Sequence, residues 1–262
     1  MRQGPIGIFD SGVGGTSVWR EIHNLLPSES TIYLADSRNA PYGEKRREEI
    51  IRLSEKNTDF LIENGCKLIV VACNTATTNA IDHLREKYNL PFIGIEPAIK
   101  PAALNSKSGT IGVLATRGTL SSQLFSKTAK DHTSNIRVIE KEGRGLVNLI
   151  ESGSVDNKAT EDLLKKYLEP MLEANIDHLV LGCTHYPYLI PALRKLLPEQ
   201  VKIIDCGEAV ARQTQKVLKK HGLLAPSDEN ATHKFYSNSD PAVLNYFIKD
   251  TAAAINVEYL DF

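Results

Sequence analysis

Short apolar runs rich in β-branched residues recur along the chain. Each is followed by a longer stretch whose apolar positions fall three and four apart. The runs predict strands over Ile6 to Asp10, Thr31 to Ala35, Leu68 to Ala72, Phe92 to Ile95, Thr110 to Leu114, Ile136 to Ile139, His178 to Leu181 and Lys202 to Ile204. The intervening pattern predicts helices, including Ser17 to Leu26, Arg46 to Asn64, Thr77 to Tyr88, Thr119 to Lys130 and Thr160 to Ala174. Strand and helix in alternation imply a mainly parallel sheet flanked by helices, hence an α/β fold. The tail adds a helix over Glu208 to Lys220, a strand near Lys234 to Ser237, a helix over Pro241 to Asp250 and a strand near Val257 to Leu260.

Two segments of this pattern are variants of one another: Val70-Val71-Ala72-Cys73-Asn74-Thr75 and Val180-Leu181-Gly182-Cys183-Thr184-His185, about 110 residues apart. A second pair, Gly7-Ile8-Phe9-Asp10-Ser11 and Gly112-Val113-Leu114-Ala115-Thr116, recurs in the same order at about 105 residues. Two similar offsets argue for two pseudo-symmetric half-units of ordinary domain size. Proline and glycine at Glu96-Pro97 and Asp205-Cys206-Gly207 punctuate the chain where the halves would cross. The expected division is residues 1–96 plus 206–262 for the first α/β lobe and 97–205 for the second. Strand ends of open α/β sheets are where ligands bind, so the active site is expected in the cleft between the lobes.

Composition narrows the class. The 262 residues are 42% hydrophobic and 24% charged with a net charge of -1, which gives no global field for nucleic acid or a membrane surface. The apolar runs are strand-sized, too short to span a membrane. The opening residues Met1 to Ile6 lack the apolar core of a signal peptide, so a cytoplasmic protein is expected. The four cysteines, Cys66, Cys73, Cys183 and Cys206, form no Cys-x-x-Cys pair. They are expected as free thiols. Cys66 reads as a small buried hydrophobe. Cys73 and Cys183 differ, because each ends a buried run and opens a polar loop.

A cysteine on each side of a substrate suits removal of a proton from one face of a carbon and its return to the other. The side chains around the two thiols extend that reading. Asn74, Thr75, Thr77 and Thr78 follow Cys73, and Thr184, His185, Tyr186 and Pro187 follow Cys183. Neutral amides and hydroxyls suit a carboxylate better than a metal, although Cys183 and His185 with Cys73 and Asp10 form a lesser metal reading. His185 stands where it can lower the Cys183 pKa or hold its proton. Phe9-Asp10-Ser11-Gly12-Val13-Gly14-Gly15-Thr16 is a strand ending on an acid, then a glycine turn into a helix. It reads equally as a capped turn and as an anion cradle, and it fits neither a P-loop nor a dinucleotide fingerprint. Asp36 through Gly43 is a polar loop in which Tyr42 and the Gly43 N–H could donate to a carboxylate. Thr116 and Thr119 occupy the second half's counterpart of the Asp10 loop. Glu151, read locally, is a solvated acid at a helix end.

Taken together and in this order, these segments resemble the glutamate racemases of the aspartate/glutamate racemase superfamily. The matching pieces run from Phe9-Asp10-Ser11-Gly12-Val13-Gly14-Gly15 through Pro41-Tyr42-Gly43, Ala72-Cys73-Asn74-Thr75-Ala76, Gly94-Ile95-Glu96-Pro97, Thr116-Arg117-Gly118-Thr119 and Gly182-Cys183-Thr184-His185-Tyr186-Pro187 to Gly207-Glu208-Ala209-Val210. Cys206 stands where many relatives carry serine. The resemblance implies a cofactor-independent, metal-free interconversion of L- and D-glutamate that supplies peptidoglycan synthesis. It implies Cys73 and Cys183 as acid/bases, assisted by Asp10 and by His185 respectively, with Glu151 as a further acid. Substrate contacts would come from Asp10, Ser11, Tyr42, Gly43, Asn74, Thr75, Thr184 and His185, with Thr116 and Thr119 nearby. The expected partner is glutamate alone, with no nucleic acid or membrane required and a homodimer left open. A racemase of aspartate or another acidic amino acid, and a binding protein for a dicarboxylate without turnover, are the alternatives.

Overall fold

The computed structural model describes residues 4–133, 135–227, 230–251, 253 and 255–262. Met1 to Gln3 of the opening segment lie outside the described residues. The strands are β1 (Ile6–Asp10), β2 (Thr31–Ala35), β3 (Leu68–Val71), β4 (Phe92–Gly94), β5 (Thr110–Ala115), β6 (Arg137–Glu142), β7 (His178–Gly182), β8 (Lys202–Ile204), β9 (His233–Ser237) and β10 (Ile255–Tyr259). They form two sheets. One has six strands in the order β10-β9-β2-β1-β3-β4, and the other has four in the order β6-β5-β7-β8.

The four-stranded order repeats the β2-β1-β3-β4 portion of the larger sheet, with β5 in the place of β1 and β7 in the place of β3. The pairings described are all parallel. Every residue of β1, β2, β3, β5 and β7 is buried. That is why these strands read as unbroken apolar runs rather than alternating ones. β6, at the edge of its sheet, is partly exposed and correspondingly polar.

Side-by-side strand ends position the chemistry. The ladder continues past β1 and β2 through Asp36 N–H to Asp10 O at 3.0 Å, and past β3 through Ala72 N–H to Phe9 O at 2.8 Å. Asp36, Asp10 and Cys73 therefore emerge next to one another. In the second sheet, β5 ends before Thr116 and β7 ends before Cys183. After β8 the chain returns to the first sheet, where β9 pairs with β2 and β10 with β9.

One helical reading is corrected, and two helices are added to those named from the pattern. The predicted helix over Thr119 to Lys130 is two, Arg117–Leu120 and Gln123–His132, because the Ser122 hydroxyl accepts the Phe125 N–H at 3.2 Å and starts a new helix. Ile99–Asn105 and Ile190–Leu196 are further helices of about two turns with a proline near the start, a length at which apolar periodicity is barely expressed.

Candidate active site

Cys73 is the N-cap of the helix Asn74–Lys87, and its Sγ accepts the Ala76 N–H at 3.4 Å. The Sγ also lies 3.6 Å from the Ser11 hydroxyl. The helix N-terminus favours a thiolate, but burial outweighs it. Burial first and the nearby Asp10 second push the Cys73 thiol well above the ordinary cysteine range. At neutral pH this closed site therefore holds Cys73 as a thiol.

Cys183 is arranged differently. Its Sγ is 3.7 Å from His185 Nδ1, and His185 Nε2 is 2.5 Å from Glu151 Oε1. Burial pulls His185 towards neutrality, yet its contacts with Cys183 and Glu151 win, and the imidazole is held well above its usual range. The result is a buried Cys183–His185–Glu151 chain with the protonated imidazole favoured at its centre. Glu151 ends the short helix Leu146–Glu151 as the sequence implied, but it points inward. Its Oε1 accepts the Val13 N–H at 2.7 Å and its Oε2 accepts the Ser37 hydroxyl at 3.0 Å, so it is no solvated acid.

Asp10 is fully buried between the lobes. Oδ2 accepts the Gly15 and Gly12 N–H groups at 2.9 and 3.3 Å, and Oδ1 accepts the Thr184 hydroxyl at 3.3 Å. Burial raises its carboxyl above the usual range, while His185 and the Gly15 N–H oppose that. These bonds decide between the two readings of the glycine turn. Its Gly12, Val13 and Gly15 amides hold the protein's own carboxylates, Asp10 and Glu151, so the cradle has internal occupants. Close approach also explains the glycines. A Cβ at Gly12 would overlap Glu151 Oε1, and one at Gly14 would overlap His185 Nδ1.

One small cavity between the lobes is lined by Ser11, Tyr42, Gly43, Cys73, Asn74, Thr75, Thr116, Cys183, Thr184 and His185, together with Pro41 and Val147. Asp10 and Glu151 stand behind this wall through the bonds above. Thr119 does so through Thr75 and Thr116, whose hydroxyls are 2.8 Å apart across the lobes. Asn74 Oδ1 is buried without a partner among the described residues. The Tyr42 hydroxyl donates to Asp36 rather than into the cavity, with Asn57 Nδ2 donating to it at 3.2 Å. The cavity measures about 10 Å³, room for about one water. The lobes are thus closed.

Among the described residues no three His, Cys, Asp or Glu side chains converge as metal ligands, and no helix is long and apolar enough to cross a membrane. Sequence reasoning missed Asp36, Ser37 and Asn57 as supports of the site. Asn57 shares a buried helix face with Ile50, Leu53 and Leu61, which was the available signal. Asp36 and Ser37 sit in a polar loop that offered none, and which groups all three face depends on the tertiary fold.

Comparison with known proteins identifies the family. The sequence model of the Asp/Glu/hydantoin racemase family matches residues 6–214. A glutamate racemase from Ectopseudomonas mendocina is 50% identical over 91% of this chain and 90% of its own length. The solved glutamate racemase of Escherichia coli, in complex with L-glutamate and the activator UDP-MurNAc-Ala, superposes with a TM-score of 0.86 at 34% identity over 98% of both chains. That of Francisella tularensis, in complex with D-glutamate, gives 0.84 at 30% identity over 98% of both chains. On these grounds the chain belongs to the Asp/Glu/hydantoin racemase family and, within it, to the glutamate racemases.

Proposed function

We propose that this protein interconverts L- and D-glutamate by a two-base proton transfer in which Cys73 and Cys183 act on opposite faces of Cα. One observation carries the reading: two buried thiols, one from each lobe, leave equivalent strand ends and line a single cavity, with Asp10 near Cys73 and His185 beside Cys183. The family relatives support the substrate, since one binds L-glutamate and another D-glutamate.

The two halves of the site begin in different states. Cys73, raised by burial and by Asp10, starts as the acid. On the other side, the His185 imidazolium supplies the counter-charge for a Cys183 thiolate. In one direction Cys183 takes the α-proton and Cys73 donates, and in the other the roles exchange. Asp10 serves Cys73 in this scheme, and His185 with Glu151 serves Cys183. The developing carbanion is stabilised through hydrogen bonds to its α-carboxylate, for which Thr75, the Thr184 backbone N–H and the Asn74 amide are the candidate donors. Asn74 Oδ1 is an acceptor for the substrate ammonium. Ser11 and the Gly43 backbone complete the binding set, while Tyr42 shapes the wall. Neither an organic cofactor nor a metal takes part in any step.

A cavity of about 10 Å³ cannot admit glutamate, so the lobes, 1–96 plus 206–262 and 97–205, part to bind substrate and close to react. We place the reaction in the cytoplasm, where reduced thiols persist and where D-glutamate feeds peptidoglycan synthesis.

Early turnover in deuterated water tests the geometry. The product enantiomer should gain one deuterium at Cα while recovered substrate gains almost none. The abstracting thiol holds the substrate's proton in a closed site, and the opposite thiol carries a solvent deuteron. Retention of the original proton in the product would overturn the two-base assignment. Faster turnover of aspartate than of glutamate would overturn the substrate.

A further inference from the structure

The carboxylate of Asp36 is 1% exposed, and among the described residues no lysine, arginine or histidine forms an ion pair with it. It is held by neutral donors instead. Oδ1 accepts from Asn39 Nδ2 at 2.8 Å and from Asn238 Nδ2 at 2.5 Å, and Oδ2 accepts the Tyr42 hydroxyl. Asn238 follows the end of β9 in the tail, beyond the residues 6–214 that the family model covers. It is 2% exposed and doubly fixed there: its Oδ1 accepts the Arg38 N–H at 2.9 Å, and its own N–H donates to Ala35 O at 3.4 Å.

We infer that Asn238 is a positioning residue for the racemase reaction: it fixes Asp36, Asp36 fixes the Tyr42 hydroxyl, and Tyr42 forms part of the wall around both thiols. The inference rests on the function proposed above. A buried carboxylate without a cation depends on each of its donors, and one lone pair left unsatisfied costs the full desolvation of that acceptor. With Asn238 shortened, the carboxylate turns towards its remaining donors, and the tyrosine it holds turns with it. Neither thiol is bonded to Asn238, nor are the side chains of Asp10, His185 or Glu151. The defect therefore falls on substrate fit and leaves proton transfer intact.

The test measures kcat and KM for both glutamate enantiomers in the full-length protein. Asn238→Ala should raise KM about tenfold in both directions, with kcat kept within about twofold. Asn238→Asp, the same size and still an acceptor for the Arg38 N–H, sets a like charge against Asp36 and should raise KM at least as much. It keeps the question answerable if the alanine variant does not fold. Tyr42→Phe removes the far end of the chain, so adding Asn238→Ala to it should change KM less than about twofold further. Arg38→Ala severs the exposed ties to Asp261 and Tyr259 but keeps the backbone N–H to Asn238, and should leave KM unchanged. Unchanged KM in both Asn238 variants, additive effects with Tyr42→Phe, or an equal rise in Arg38→Ala would each overturn the inference while the racemase reading stands. Absence of glutamate racemisation by the wild-type protein would overturn that reading and the inference with it.

Discussion

The chain from Cys183 through His185 ends on Glu151, and Glu151→Gln asks whether that end must be charged. Glutamine keeps the shape and an acceptor oxygen and removes the negative charge 2.5 Å from His185 Nε2. At an effective dielectric of about 20, two unit charges about 4 Å apart interact by about 4 kcal/mol. The Glu151 side chain is 16% exposed, so water weakens this, and the retained oxygen preserves part of the hydrogen bond. A loss of about 3 kcal/mol corresponds to about 10²-fold in rate. It should appear in kcat for the direction in which Cys183 is the base. The sign with pH follows from His185. Glu151 is one of the groups holding that imidazole above its usual range, so without it the proton leaves at lower pH. The alkaline fall of the affected kcat should therefore move to lower pH. Folding stability shifts the same way: a histidine raised in the folded state stabilises below its unfolded pKa, and the gain is lost as pH rises through the folded value. Circular dichroism of each enantiomer's conversion across pH measures the rates, and thermal melts across the same pH range measure the stability. A kcat within twofold of wild type in both directions, with the pH profile unmoved, would refute the relay.

Cys73→Ser and Cys183→Ser should each nearly abolish racemisation while glutamate binding persists, since a hydroxyl cannot carry the proton near neutrality. Cys66→Ser and Cys206→Ser should keep most activity, and a dead but folded Cys66→Ser would contradict the pairing. Asp10→Asn and His185→Asn should lower rates by about 10²–10⁴-fold, each mainly in the direction where its own thiol is the base. Separate kcat and KM values for L- and D-glutamate show this, and unchanged kinetics would remove that residue from the mechanism.

What could be read from the sequence was whatever one strand or loop carries by itself. β3 and β7 deliver their cysteines as their apolar runs predicted, because a fully buried parallel strand has an unbroken apolar signature that ends where the polar loop begins. The repeat was legible for the same reason, since matching strands carry matching residues. Partnerships across elements were not legible. Glu151 looked like a solvated helix end, because nothing in Leu146 to Gly153 encodes its bonds to Val13 and His185. The glycine turn looked free to hold an external anion, because the carboxylates that occupy its amides come from β1 and from the second lobe. Tyr42 looked like a substrate donor until Asp36 was found beneath its hydroxyl.

Several of the bonds that cross between the lobes also build the catalytic groups' surroundings. Thr184 reaches Asp10, Glu151 reaches Val13 and Ser37, and Thr75 meets Thr116. In the proposed function, opening the cleft for glutamate would break this set, and closing it would restore the helpers of both thiols together. In the proposed reaction, closure would couple exclusion of water to assembly of the proton carriers, so that neither thiol is fully equipped while bulk water can reach the carbanion. The helpers themselves are unlike: a carboxylate beside Cys73, an imidazole and a carboxylate behind Cys183. Enantiomers have equal free energy, so this asymmetry cannot favour either product. It can act only by dividing the same kcat/KM differently between binding and turnover in the two directions.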